Sequence, residues 1–126
     1  MSFCTVVNCM DGRVQLPVIE YLMKRLGVEY VDSVTEAGPV GRLSSDPDGV
    51  VSASIISRVG VSVERHGSRV VAVVAHHDCG GNPIDEDSQR EQLAASIDLI
   101  ARRFPQVSVA GLWVDADWRV TEVDDK

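Results

Sequence analysis

The chain has 126 residues, 44% of them hydrophobic and 25% charged, with a mean hydropathy of +0.02, the balance of one globular domain running over residues 1–126. Twelve Lys and Arg against nineteen Asp and Glu leave a formal charge of −7; that balance repels phosphate backbones and anionic lipid, so neither nucleic acid nor a membrane surface is expected as a partner. No run approaches the roughly 18 apolar residues of a membrane span, the N-terminus lacks the basic and apolar segments of a signal peptide, and three cysteines suit a cytoplasmic setting in which thiols stay reduced.

Four apolar, β-branched runs, Phe3–Cys9, Tyr30–Val34, Arg69–His76 and Val107–Val114, are continuous rather than alternating, as strands covered on both faces tend to be. Three helical patterns separate them. The first places Leu16, Ile19, Met23 and Leu26 on one stripe, with Pro17 in its first turn and Gly27 just past its end. The second follows Asp46-Pro47-Asp48-Gly49, read as a turn that also supplies the N-cap, and carries Ile55, Ile56, Val59 and Val63. The third opens on Ser88-Gln89-Arg90-Glu91, read as a capping box, stripes Leu93, Ile97, Ile100 and Phe104, and stops at Pro105. Asp115-Ala116-Asp117 reads as a turn into a short last strand, Trp118–Val123. Alternating strands and helices predict an α/β fold in three layers: a mainly parallel four-stranded sheet, helices on both faces, and a short extra C-terminal strand. In such sheets, sites form beyond the carboxyl ends of the strands.

The first strand ends in Cys9-Met10-Asp11-Gly12-Arg13, and the third in His76-His77-Asp78-Cys79-Gly80-Gly81. The two-residue repeat of extended chain turns Cys9, Asp11 and Arg13 to one side. His76 and Cys79, three apart on a glycine-rich turn, converge on one point. With the two strands adjacent, Cys9, His76 and Cys79 form a Cys2His set, which zinc takes in a tetrahedron with one position left open. Taken singly, Cys9 reads as a small buried hydrophobe, His76 as a satisfied core histidine and Cys79 as part of a glycine turn; together, at two strand ends of one sheet, they point to zinc. A redox pair lacks the Cys-x-x-Cys spacing. Asp11 has two choices, to close the fourth metal position or to pair with the planar guanidinium of Arg13 and leave it open.

The remaining features read as structural. His66 and His77 show no partner in the sequence, Asp78 either orients His76 or Arg13 or faces solvent, and Trp113 and Trp118 pack around the Asp115–Asp117 turn. Asp46-Pro47-Asp48-Gly49 is not a calcium loop, and Gly38-Pro39-Val40-Gly41 is neither a phosphate loop nor a dinucleotide fingerprint.

Cys9-x-Asp11-x-Arg13 followed about sixty residues later by His76-x-x-Cys79-Gly80 resembles the zinc signature of the β-class carbonic anhydrases. The likeness extends to Arg13-Val14 entering a helix, Glu36-Ala37-Gly38 after the second strand, and Val109–Asp115 near the end. It implies zinc on Cys9, His76 and Cys79, with Asp11 and Arg13 as a catalytic dyad. It also implies a lyase of the carbonate dehydratase type, which hydrates carbon dioxide reversibly to bicarbonate through zinc-bound hydroxide, and a homodimer or higher homo-oligomer. Hydrolysis of a sulfur analogue such as carbonyl sulfide, and an inert zinc domain closed by Asp11, are the alternatives. Eight residues precede Cys9, where family members usually carry a helical arm that lends the substrate pocket a glutamine and an aromatic residue. Pro39 stands where Asn is usual and Gly12 where Ser is common. These departures touch the pocket and the turnover expected of it, and leave the metal residues in place.

Overall fold

The computed structural model describes residues 2–123. The elements in chain order are β1 (Phe3–Cys9), a 3-10 turn (Gly12–Val14), α1 (Gln15–Leu26), β2 (Tyr30–Glu36), α2 (Pro39–Ser45), α3 (Val50–Arg65), β3 (Val70–His76), α4 (Glu86–Arg103), β4 (Ser108–Val114) and β5 (Val120–Val123). They build one five-stranded sheet in the order β2-β1-β3-β4-β5. The first four strands run parallel, and β5 pairs antiparallel with β4. The α/β architecture expected from the alternation is therefore present, including the extra C-terminal strand.

The continuous apolar strands follow from burial on both faces. Alternate residues of β1 and β3 enter opposite cores: Val6, Ala72 and Val74 join Val14, Val18 and Leu22 on the α1 side. Val7, Val71 and Val73 join Ile55, Val59, Ile97 and Ile100 under α3 and α4. β1 leads to β2 on one side, after which the chain crosses back to place β3 on the other. The carboxyl ends of β1 and β3 thus lie side by side where the strand order reverses, the position at which open α/β sheets form sites.

Local departures from the sequence reading have identifiable causes. In α1 the buried face is Val18 and Leu22, supported by Tyr21 and Leu26, whereas Leu16 is 69% and Met23 41% exposed. The buried Val14 of the preceding 3-10 turn sets the phase, since Val14, Val18 and Leu22 share one face at a spacing of four. α3 starts from Gly49 without a side-chain cap. The Asp46 carboxylate lies over Gly49 and leaves no room for a Cβ there. α4 begins before Ser88, because Asp85 is the N-cap and its Oδ1 accepts from the Ser88 N–H at 2.8 Å, with Glu86 and Asp87 placed favourably in the first turn. α2 is a short helix the pattern did not announce, opened by Pro39 in its first turn after Gly38 at φ +59°. β2 runs on to Glu36, β3 and β4 each begin one residue later than expected, and β5 begins at Val120 because Trp118 is left-handed.

Candidate metal centre

Cys9 is the last residue of β1 and His76 the last of β3. After His76 the chain turns through Asp78 at φ +57° and returns with Cys79. The ligand atoms of Cys9, His76 and Cys79 all lie within 4.8 Å of one another, and all three side chains are buried. The two sulfurs are 3.9 Å apart. A tetrahedron with metal–sulfur bonds of about 2.3 Å has an edge of about 3.8 Å, so this spacing suits two thiolates on one zinc.

The imidazole is oriented for the same purpose. Nδ1 of His76 lies 2.8 Å from the His77 carbonyl, so Nδ1 carries the proton and donates, and Nε2 keeps its lone pair. Nε2 is also the one buried side-chain nitrogen or oxygen among the described residues with no hydrogen-bond partner. An orphaned acceptor of this kind, aimed into a group of two thiols, is what a metal site provides for its ion. The donor set fits zinc, which favours thiolate and imidazole, over magnesium or calcium.

The electrostatics agree. A hydrogen bond from Cys79 pulls the Cys9 thiol down against its burial, helped by His76 and by the N–H groups of Gly38 and Asp11. The same hydrogen bond, with burial, pushes Cys79 up. Burial works against a charged His76, yet contact with Cys9 and the His77 carbonyl raise it overall. Thiols must be deprotonated to bind a metal, and the two opposite shifts mark Cys9 as the sulfur that gives up its proton the more readily.

Two loops pack tightly to deliver the supporting N–H groups. Those of Gly81 and Asn82 face Cys79 as that of Gly38 faces Cys9. A Cβ on Gly81 would come within 2.7 Å of the Ala37 carbonyl carbon, so the approach of the loops requires glycine. At Gly12 a Cβ would meet nothing within 4 Å.

Asp11 does not join the three ligand atoms. Its Oδ1 accepts from the Arg13 backbone N–H at 2.9 Å and from Nε at 3.1 Å, and Oδ2 accepts from Nη2 at 2.6 Å. These hydrogen bonds hold the Asp11 carboxyl at about 2. Arg13 reaches further, from Nη1 to Asp78 Oδ2 at 3.3 Å and from Nη2 to the Asp78 carbonyl at 3.1 Å. Asp78 therefore contacts Arg13 rather than His76.

Three contributors were not assigned to the site from the sequence, in which Trp118 read as hairpin packing and Gln89 as part of a capping box. Gln15 donates to the Cys9 carbonyl at 2.6 Å, Gln89 donates to the His76 carbonyl at 2.8 Å, and Trp118 lies under the guanidinium of Arg13, 4.5 Å from ring centre to Cζ. Gln89 had a legible signal, since it extends the Leu93–Ile97–Ile100 stripe backwards as a polar residue on a buried face. Other residues lie elsewhere. His66 has a partner after all, Asp32 at 2.6 Å, which Ser62 also contacts, at the opposite end of the sheet. His77 meets Trp118 edge-on at 6.5 Å, and Trp113 carries Arg90 over its ring at 5.2 Å. Cys4 is buried within β1, and burial pushes its thiol up to about 11.

Comparison with known proteins places this arrangement. A family model described as "Putative carbonic anhydrase" matches residues 1–124. In fold, the chain is similar to β-carbonic anhydrase isoform I of Trichomonas vaginalis, with a TM-score of 0.64 at 15% identity over 94% of this chain and 80% of that one. The β-carbonic anhydrase CafA of Aspergillus fumigatus gives 0.64 at 12% identity, over 97% of this chain and 76% of that one. One of two tetrameric β-carbonic anhydrases of Sordaria macrospora gives 0.61 at 14% identity, over 94% and 79%. No curated protein matches the chain in sequence.

Proposed function

The chain belongs to the carbonic anhydrase family whose model spans residues 1–124, and from that premise we propose that it hydrates carbon dioxide reversibly to bicarbonate, with zinc held by Cys9, His76 and Cys79 and with Asp11 and Arg13 as the catalytic pair. The observation that carries the reading is the pairing of Asp11 with Arg13 beside a three-atom ligand group. A carboxylate committed to a guanidinium is not a fourth metal ligand, and three protein ligands with an open position are the pattern of catalytic rather than structural zinc. When bound, zinc supplies Lewis acidity at that open position.

The chain's own groups do the rest. Asp11, ionised throughout the physiological range, accepts hydrogen bonds and donates none. Arg13 donates twice to each oxygen, to Oδ1 from its backbone N–H and Nε and to Oδ2 from Nη2 at 2.6 Å and Nε at 3.2 Å, and because the single Nε–H is shared between the two oxygens, Oδ2 keeps acceptor capacity. A water or hydroxyl that donates to that oxygen has its remaining lone pair turned toward the electrophilic carbon. The ion pair thereby fixes direction, and the proton released on hydration passes to solvent. Met10 (63% exposed) and Leu16 (69% exposed), which flank this pair in the chain, leave apolar surface, and β2 and β5 are sheet edges. Such surfaces and edges suit a homo-oligomer, as in the tetrameric relatives of Sordaria macrospora.

Stopped-flow carbon dioxide hydration on zinc-replete protein, from about pH 6.5 to about pH 9, tests the assignment. The expected result is a rate well above buffer that rises with pH and is lost in Cys79→Ser. Absence of rate at every pH, with zinc bound, would move the assignment to another small electrophile such as carbonyl sulfide, or to a zinc domain without turnover.

A further inference from the structure

Arg13 is half exposed, with 46% of its side chain accessible, yet it is held from three sides. Its edge donates to Asp11 and to Asp78, and its face rests on the Trp118 indole. Among the described residues, only two non-glycine positions have positive φ, Asp78 at +57° and Trp118 at +61°. Both contact Arg13. A bulky aromatic seldom adopts left-handed backbone, and such conformations persist where the surroundings enforce them, often at functional sites.

The enforcement is visible in the β4–β5 turn. Asp115 Oδ1 accepts from the N–H groups of Asp117 and Arg119, each at 2.9 Å. The Asp115 carbonyl accepts from the Trp118 N–H at 3.0 Å, and the Asp115 N–H donates to the Arg119 carbonyl at 3.0 Å. This closed turn directs the indole back over the site. The His77 ring meets the indole edge-on, and the His77 N–H donates to the Val114 carbonyl at 2.9 Å, joining the ligand-bearing turn to the base of the same hairpin.

We propose that Trp118 is a positioning residue of this site: with Asp78 it fixes the plane of the Arg13 guanidinium and, through it, the direction of the Asp11 carboxylate. The β4–β5 hairpin is then part of the reaction machinery rather than only a sheet edge. For its consequence in turnover, the proposal rests on the role of Asp11 in carbon dioxide hydration given above; the structural clamp is independent of that role. A cation over an indole face is attracted by the ring quadrupole, and a flat ring restricts a guanidinium in a way that an aliphatic side chain of similar bulk does not.

The test uses the zinc-loaded protein and reads two quantities. Proton–nitrogen correlation spectra follow the Arg13 Nε–H resonance, assigned by its loss in Arg13→Lys. In the wild type the indole face is expected to shield it against the downfield shift imposed by its hydrogen bonds to Asp11, and its exchange should be slow. In Trp118→Leu that shielding should be lost, so the resonance should move downfield and exchange several-fold faster, with zinc stoichiometry unchanged. Carbon dioxide hydration should fall roughly tenfold in Trp118→Leu, with the loss in kcat, because small displacements of a reacting group cost factors of this order or more. Trp118→Phe, which keeps a flat ring, should recover most of both signals. An Arg13 resonance that neither moves nor exchanges faster in Trp118→Leu overturns the proposal. So does an equal loss of kcat in the Phe and Leu variants. If the wild type shows no hydration activity at all, the carbonic anhydrase reading fails while an Arg13 resonance that moves in Trp118→Leu still upholds the clamp. If Trp118→Leu does not fold, the wild-type exchange rate and the Trp118→Phe variant decide.

Discussion

Gln89, in the first turn of α4, donates its side-chain amide to the main-chain carbonyl of His76 at 2.8 Å, and both residues are buried. This hydrogen bond anchors the end of β3 that carries the imidazole to the helix packed behind it. Gln89→Leu fills the volume but leaves the His76 carbonyl short of a donor in a buried setting, which costs about 1–3 kcal/mol. Denaturant unfolding should show that loss, and zinc competition should show weaker binding. Stability within about 0.5 kcal/mol of the wild type would mean that the amide is not needed there.

The contact between the Ala37–Gly38 and Gly81–Asn82 loops is too close for a side chain at Gly81, where a Cβ would stand 2.7 Å from the Ala37 carbonyl carbon and 2.9 Å from the Gly38 nitrogen. Gly81→Ala should force the loops apart and withdraw N–H groups from Cys9 and Cys79. Zinc affinity is expected to fall by about 10–100-fold, the range seen when groups supporting metal ligands are disturbed. Gly80→Ala is the control, because a Cβ there meets nothing within 4 Å and affinity should not change. Equal effects from the two alanines would refute a steric origin.

Asp11→Asn keeps the shape of the carboxylate and removes its charge. Since Asp11 lies outside the ligand group and is bound to Arg13, the variant should retain one zinc per chain while hydration falls by about 10²-fold or more, the order lost when a group that orients the reacting atoms is disturbed. Metal analysis and stopped-flow rates on the same sample separate the outcomes. A variant that loses zinc would identify Asp11 as a ligand instead.

What was legible in the sequence follows from how local each cause is. The strands of the sheet were readable because burial on both faces leaves continuous apolar runs, and the convergence of Cys9, His76 and Cys79 was readable because each lies at or just beyond a strand end. The buried face of α1 was not, since Leu16, Ile19 and Met23 compete with Val18 and Leu22, and the choice is made by Val14 in the preceding turn. α2 is seven residues long, too short for a periodic signal. Trp118 read only as hairpin packing because its contact with Arg13 depends on left-handed backbone and a turn closed by Asp115. The start of α4 was misplaced because Ser88 with Glu91 and Asp85 with Ser88 are both capping pairs, and the earlier one prevails.

That N-cap gives the protein a defined acid response. Hydrogen bonds from the backbone and side chain of Ser88 lower the Asp85 carboxyl below its ordinary value of 3.8, so the folded chain prefers the ionised form. A depressed folded value stabilises fully above the unfolded value, and the contribution is lost as pH falls through the folded one. Asp85→Asn keeps a side-chain acceptor for the cap but removes the charge that favours the helix N-terminus. The wild type should therefore unfold at a higher temperature than Asp85→Asn, by a margin constant above about pH 5 and closing as pH drops below about 3.8. Taking the difference between the two proteins at each pH cancels the shared contributions of the cysteines and His76. Thermal unfolding followed by circular dichroism between about pH 2.5 and about pH 7 measures that margin. A margin that widened toward acid would have the wrong sign for a depressed carboxyl, and would show that Asp85 does not cap α4 as a carboxylate.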